Sequence, residues 1–177
     1  MKKFVTLCAM VAASFAPRLA NAQVPNAKDV VQSTAYTSFE PVARGKEFQV
    51  AVVLKIRDGY HINARKPTLE YLIPTDLKVE IPAGYKASDV TYPDGTLKSF
   101  AFSQSEKLNV YTGTVVLHLK VTPPADAPLG AQHIPLKLRY QACSESVCLP
   151  PVRQDIDTSF TMAATGKAAH QELFKPK

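Results

Sequence analysis

Tryptophan is absent from this 177-residue chain, and cysteine, histidine and glycine are sparse at 3, 4 and 7 residues. Without Trp, the Cys…Trp…Cys signature of antibody-like domains cannot be formed. No window approaches the roughly 20 apolar residues that a membrane-spanning helix requires. Basic residues stand singly, with no Lys/Arg run and no RNA-binding aromatic pattern, so nucleic-acid binding finds no support. A nucleophile-elbow sequence and a His-Glu-x-x-His motif are both missing, which removes the common hydrolase readings. Internal repeats and a convincing amphipathic helix are missing too.

What is present begins with an export signal. Lys2 and Lys3 precede an apolar stretch from Phe4 to Phe15, and Ala20-Asn21-Ala22 offers the small residues a signal peptidase reads. Residues 1–22 are expected to be removed before Gln23, which places the mature protein in the periplasm without a membrane anchor. Cys8 leaves with the signal, and its lipidation is not expected because too few apolar residues precede it. Removing Lys2, Lys3 and Arg18 from the 21 basic residues leaves 18 against 15 acidic ones, a net charge near +3.

The remaining pattern is that of strands. Phe48, Val50, Val52, Leu54 and Ile56 alternate with Gln49, Lys55 and Arg57, the period of a half-buried strand. Leu77–Ile81, Val115–Val121, Ile134–Tyr140 and Ile156–Phe160 alternate in the same way. Asp58-Gly59, Pro82-Ala83-Gly84, Pro93-Asp94-Gly95 and Pro123-Pro124 punctuate them as turns. Short strands with proline-rich turns predict an all-β, immunoglobulin-like antiparallel β-sandwich, a single domain over residues 23–162. Residues 163–177, rich in Ala and Lys, are expected to form a loose C-terminal tail with at most one helical turn.

Cys143 and Cys148 are the thiols left in the mature chain, and four residues separate them. That spacing suits the tip of a β-hairpin, where opposed residues of a non-hydrogen-bonded pair lie about 4.5 Å apart. Strand phase puts Ala142 on the core face and Cys143 on the other. Pro150 and Pro151 remove two backbone donors, so the outgoing strand is expected at an edge or leaving the sheet. A staple closing so small a loop contributes roughly 2 kcal/mol on the chain-entropy model. The spacing is not Cys-x-x-Cys, so no helix dipole lowers a thiol pKa; Lys137 or Arg139 would act in that sense and Glu145 against it. The residues alone leave open a redox pair and a structural disulfide in a binding or chaperone-like module. They also leave open a metal carrier using both thiols and a His, although no His-x-His or Met-rich cluster is present.

Five segments occur in order: Gly59-Tyr60-His61-Ile62-Asn63 with Lys66-Pro67; Glu70-Tyr71-Leu72-Ile73-Pro74; Asp89-Val90-Thr91-Tyr92-Pro93; Val110-Tyr111-Thr112-Gly113; and Tyr140-Gln141-Ala142-Cys143…Cys148-Leu149-Pro150-Pro151. Together they resemble the N-terminal periplasmic domain of the thiol:disulfide interchange protein DsbD, particularly its stand-alone relatives, over about residues 40–162. The last segment is the most specific.

The resemblance implies an immunoglobulin-like protein-disulfide reductase component that cycles between dithiol and disulfide and needs no cofactor. Electrons would come from the thioredoxin-like domain of a membrane reductase and pass to oxidised periplasmic thiol proteins, cytochrome c biogenesis among the processes served. Cys148 would be the attacking thiol and Cys143 the resolving one. A cap loop, here Thr96 to Glu106, would shield the pair through Phe100 or Phe102; each Phe has a plain core role as its alternative. The better-known family member has an acidic pair beside its cap aromatic, whereas Lys98-Ser99-Phe100-Ala101-Phe102-Ser103 contains no carboxylate. It also has tyrosines where His61 and Asn63 stand here. His61, Asn63 and Tyr140 are accordingly the candidates for proton handling or for lining the site, with His61 a proton acceptor near neutral pH. The resemblance includes neither the membrane domain nor the thioredoxin-like domain. Separate proteins would supply the electrons, or this version has kept the fold and lost the pathway.

Overall fold

A computed structural model describes residues 24–103 and 106–175; the expected signal peptide lies outside the described residues. The strands, in chain order, are β1 (Val31–Thr37), β2 (Val42–Ala43), β3 (Phe48–Ile56), β4 (His61–Asn63), β5 (Asp76–Val79), β6 (Lys86–Ala87) and β7 (Thr96–Ser99). They continue as β8 (Lys107–Tyr111), β9 (Thr114–Thr122), β10 (Gly130–His133), β11 (Leu136–Tyr140), β12 (Ala142–Cys143), β13 (Val152–Ile156) and β14 (Ser159–Ala163).

These strands form four small sheets, ordered β1-β3-β9-β6, β10-β14-β2, β13-β11-β5 and β12-β4-β8-β7. Pairing is antiparallel except between β14 and β2. The expected alternation is realised in β3 and β9, where Val52 faces Leu117 and Val50 faces Leu119 in register. Their side chains join Leu136, Leu138 and Tyr140 of β11 and Val152 and Ile156 of β13 in one continuous core. The architecture is the all-β, immunoglobulin-like sandwich that the patterning predicts.

Two departures have local causes. The alternating run from Ile156 to Phe160 is two strands, because the Asp157 carboxylate accepts from the Ser159 amide at 3.1 Å and hydroxyl at 2.7 Å. This side-chain turn bends the chain without disturbing the alternation, and β14 leaves β13's sheet to pair with β10. The C-terminal segment, expected to be loose after residue 162, is tied down as far as Phe174. Ala169 N donates to Ser38 O at 3.0 Å, while Lys167 exchanges backbone bonds with Glu40 and Pro41. Its aromatics also find partners, with the His170 ring 4.8 Å from Tyr36 and Phe174 6.1 Å from His118.

The sheet that positions the candidate site is β12-β4-β8-β7. Ile62, Ala64, Tyr111 and Ala142 belong to the main core. Leu108 and Val110 belong instead to a second, smaller cluster with Leu72 and Phe100, against which Leu69 packs. A sheet with apolar side chains on both faces has to be covered twice, and the second cover is what encloses the cysteine site.

Candidate functional site around the Cys143–Cys148 hairpin

The chain passes from one sheet to another at Gln141, between β11 and β12. Ala142 pairs with Ile62 and enters the main core, and Cys143 pairs with His61 on the opposite face. Ser144 N donates to Val147 O and Leu149 N to Ala142 O, each at 2.8 Å. These two bonds flank Cys143 and Cys148, which are thereby a non-hydrogen-bonded antiparallel pair. The sulfurs are joined in a disulfide, with the Cα atoms 3.9 Å apart. The Ser144 hydroxyl closes the tip by accepting from Val147 N at 3.2 Å and Ser146 N at 3.3 Å. After Leu149 the two prolines carry the chain out of this sheet and into β13, an edge strand of the next one.

The two sulfur-bearing residues differ sharply in access. Cys143 retains 1% of its surface, whereas Cys148 is exposed. Cys143 is buried without belonging to the main core, so what covers it is the second face of its sheet.

On the face that carries Cys143 and His61 lies a hairpin rather than an irregular loop. β7 pairs with β8, Leu97 opposite Asn109 and Ser99 opposite Lys107, and a 3-10 turn at Ala101–Ser103 follows. The Ser103 hydroxyl accepts from Phe100 N at 3.3 Å and donates to Glu106 O at 2.7 Å, which holds the turn closed. Gly95 starts the hairpin where no side chain fits, since a Cβ there would lie 2.8 Å from that of Ala64. Phe100 is buried in the second cluster and stacks on the His61 ring at 3.9 Å. Phe102 lies 5.5 Å beyond, stacked on Phe100 and 38% exposed. Phe100 is therefore a core side chain of the second cluster and also the ring over His61.

His61 is 2% exposed, and its Nε2 has no hydrogen-bond partner among the described residues. Burial, with a smaller effect from the Lys98 ammonium, lowers its pKa to about 4. Burial thus favours the neutral imidazole, a weaker base than an ordinary histidine. Asn63 is buried on the same strand, its side-chain amide donating to Ile73 O at 2.9 Å. Its backbone carbonyl accepts from the Thr75 hydroxyl at 2.6 Å, so Asn63 pins the 73–75 segment. Tyr140 stands apart in the main core, its hydroxyl donating to Ala27 O at 3.1 Å and its pKa pushed by burial to about 12. Lys137, considered above as a thiol-activating charge, is ion-paired with Glu80 at 2.9 Å.

A cleft of about 220 Å³ opens beside the hairpin, with Tyr60, His61, Lys98, Phe100, Thr112 and Glu145 in its walls. Lys98 is the site residue that sequence reasoning missed as a participant. Nothing local marked it, because Thr96–Ser99 is short and exposed throughout and only its partner β8 alternates. Among the described residues, no group of three or more His, Cys, Asp or Glu is placed to hold a metal ion. No described helix is long and apolar enough to cross a membrane.

A sandwich that joins one buried and one exposed cysteine in a disulfide at a hairpin tip is a domain of the thiol–disulfide exchange class. The chain belongs to the family described as thiol:disulfide interchange protein DsbD, N-terminal, whose model matches residues 27–159. Among solved structures, the reduced DsbD N-terminal domain of Neisseria meningitidis is 22% identical, with a TM-score of 0.47 over 80% of this chain and 94% of that one. The same organism's DsbD N-terminal domain in complex with the PilB N-terminal domain is 23% identical, with a TM-score of 0.46, covering 78% of this chain and 88% of that one. The N-terminal periplasmic domain of ScsB from Proteus mirabilis is 12% identical with a TM-score of 0.50, over 80% of this chain and 50% of that one. No curated protein matches the chain.

Proposed function

We propose that this domain is a periplasmic electron shuttle. It takes two electrons from the thioredoxin-like domain of a membrane reductase and delivers them through Cys143 and Cys148 to oxidised periplasmic thiol proteins. The observation that carries this reading is the unequal access of the two cysteines, Cys143 buried and Cys148 exposed. A structural staple has no need of one open sulfur.

The unequal access supports the following order of steps. In the oxidised domain a donor thiolate attacks Cys148 Sγ. The Cys143–Cys148 bond breaks, its electron pair stays on Cys143 Sγ, and that sulfur takes up a proton. The donor's second thiolate then displaces Cys148, leaving the donor as a disulfide and this domain as a dithiol. In the forward delivery, Cys148 thiolate attacks an acceptor disulfide and forms a mixed disulfide. Cys143 closes on Cys148 and releases the acceptor's second thiol. Phe100 and the second cluster keep bulk solvent and adventitious oxidants from the buried sulfur, so partners meet Cys148 alone.

The test is the reduction potential of the pair in purified mature protein, measured by equilibration in graded thiol buffers with alkylation readout. A value between about −180 and −270 mV, among known exchange proteins, supports electron transfer. A value below about −300 mV marks a structural bond and overturns the proposal in favour of a binding module.

A further inference from the structure

In the oxidised domain the Nε2 of His61 is buried with no partner among the described residues, although buried ring nitrogens are ordinarily hydrogen-bonded. Its position explains what is missing. Cys143 pairs with His61 across β12 and β4, and with Cys148 across the hairpin, so the three residues form one row on the same face. The bonds flanking the cysteine pair point the Cys143 backbone toward β4, so Cys143 and His61 form the hydrogen-bonded type of pair with side chains abreast. A disulfide sulfur has no proton to give. A thiol does.

We propose that His61 is a positioning residue whose Nε2 accepts the Cys143 S–H once the disulfide is reduced. The orphaned nitrogen would then be a feature of one redox state, satisfied in the other, and would favour the dithiol. The inference rests on the exchange reading above and deepens it by naming the group that receives the buried thiol. The balance of the step is simple. Cleavage leaves the bond pair on Cys143 Sγ, which takes one proton from the donor dithiol; that proton stays on sulfur and points at Nε2. His61 neither gains nor loses a proton overall, in keeping with an imidazole held neutral by burial. The Phe100 ring, stacked on His61, fixes the imidazole plane and prevents the nitrogen from swinging to solvent.

The test compares the equilibrium constant of the pair with glutathione in the wild type, His61→Phe and His61→Gln. Phe keeps a ring against Phe100 and has no acceptor, whereas Gln restores one. One lost net hydrogen bond makes the His61→Phe disulfide about tenfold harder to reduce, equivalent to about 30 mV more negative, and His61→Gln recovers most of the shift. An unchanged constant in His61→Phe, or equal shifts in both variants, overturns the proposal. A residue that merely packs would destabilise both redox forms alike and leave the constant where it was. Nitrogen NMR of the wild type removes dependence on the variants folding: the His61 Nε2 resonance moves on reduction as a lone pair accepting a proton does, and an unmoved resonance overturns the assignment. This result is separable from the proposed function, because it concerns a difference between variants and not the absolute potential.

Discussion

Cys148 and Cys143 are one sulfur pair with two different surroundings, and single substitutions distinguish them. In Cys143→Ala the exposed Cys148 thiolate can attack but nothing resolves the product, so a mixed disulfide with a thioredoxin-like partner accumulates on non-reducing gels. Cys148→Ala leaves a thiol that is 1% exposed, and no such adduct is expected. Equal trapping by both variants would show that access does not assign the roles. His61 makes a second prediction at this scale. Its ordinary pKa of 6.5 falls to about 4 in the folded chain, so between these values the unfolded state binds the extra proton. Stability contributed by the neutral, buried ring is present above pH 6.5 and is lost as pH falls toward 4. Urea midpoints measured from pH 7 to 4.5 should therefore decline in the wild type, and the decline should flatten in His61→Phe. Glu80, whose pKa is drawn down by its hydrogen bond to Lys137, contributes the same pH dependence to both proteins and cancels from the comparison.

The element that governs access in the proposed mechanism is the β7–β8 hairpin with its 3-10 turn. Phe100 joins Leu72, Leu108 and Val110 in a cluster separate from the main core, so its loss opens the cap without emptying the sandwich. Phe100→Ala is expected to cost about 3 kcal/mol in stability and to raise the rate at which a small thiol reduces the disulfide. Phe102, 38% exposed, contributes less to both; Phe102→Ala is expected to change stability by less than about 1 kcal/mol. If the two variants were reduced at the same rate, shielding by Phe100 would be disproved. The cap was partly legible in the sequence as a stretch and two aromatics. Its form as a strand pair was not, because Thr96–Ser99 is short and exposed throughout, and only its partner β8 carries an apolar alternation. The turn Asp157–Ser159 hid a strand boundary for the opposite reason, since a bend held by a side chain leaves the period of the apolar residues intact.

The whole molecule joins distant segments that no local pattern connects. The C-terminal segment crosses the outer face of the β1-β3-β9 sheet. There Tyr36, Ala51 and His118 lie in one register row, and Ala51 is fully buried although its neighbours Val50 and Val52 are the ones in the main core. The His118 Nε2–H donates to Leu173 O at 2.9 Å, and the Gln171 amide to Ser38 O at 3.1 Å. Truncation after residue 165 removes these bonds and the backbone bonds of Lys167 and Ala169, with an expected loss of about 2 kcal/mol at roughly 1 kcal/mol or less per net bond. A thermal midpoint unchanged by the truncation would show that the segment is a passenger. The reduction potential should not move with it, because its bonds are to the β1–β2 connection and β9 and its ring contact is to β1, away from the β12 hairpin.

Strand content, the main core face of β3, β9 and β11, and the hairpin spacing of the cysteines were determined by the sequence alone, because alternation and proline turns act over a few residues. The phase of Ala142 and Cys143 was determined in the same way. Which cysteine is exposed, which ring stacks on His61, and that its Nε2 is buried without a partner among the described residues were decided only by the tertiary structure. Each depends on a second apolar cluster brought over β4 from residues 69 to 110, and burial by a remote segment leaves no periodic mark at the position it buries.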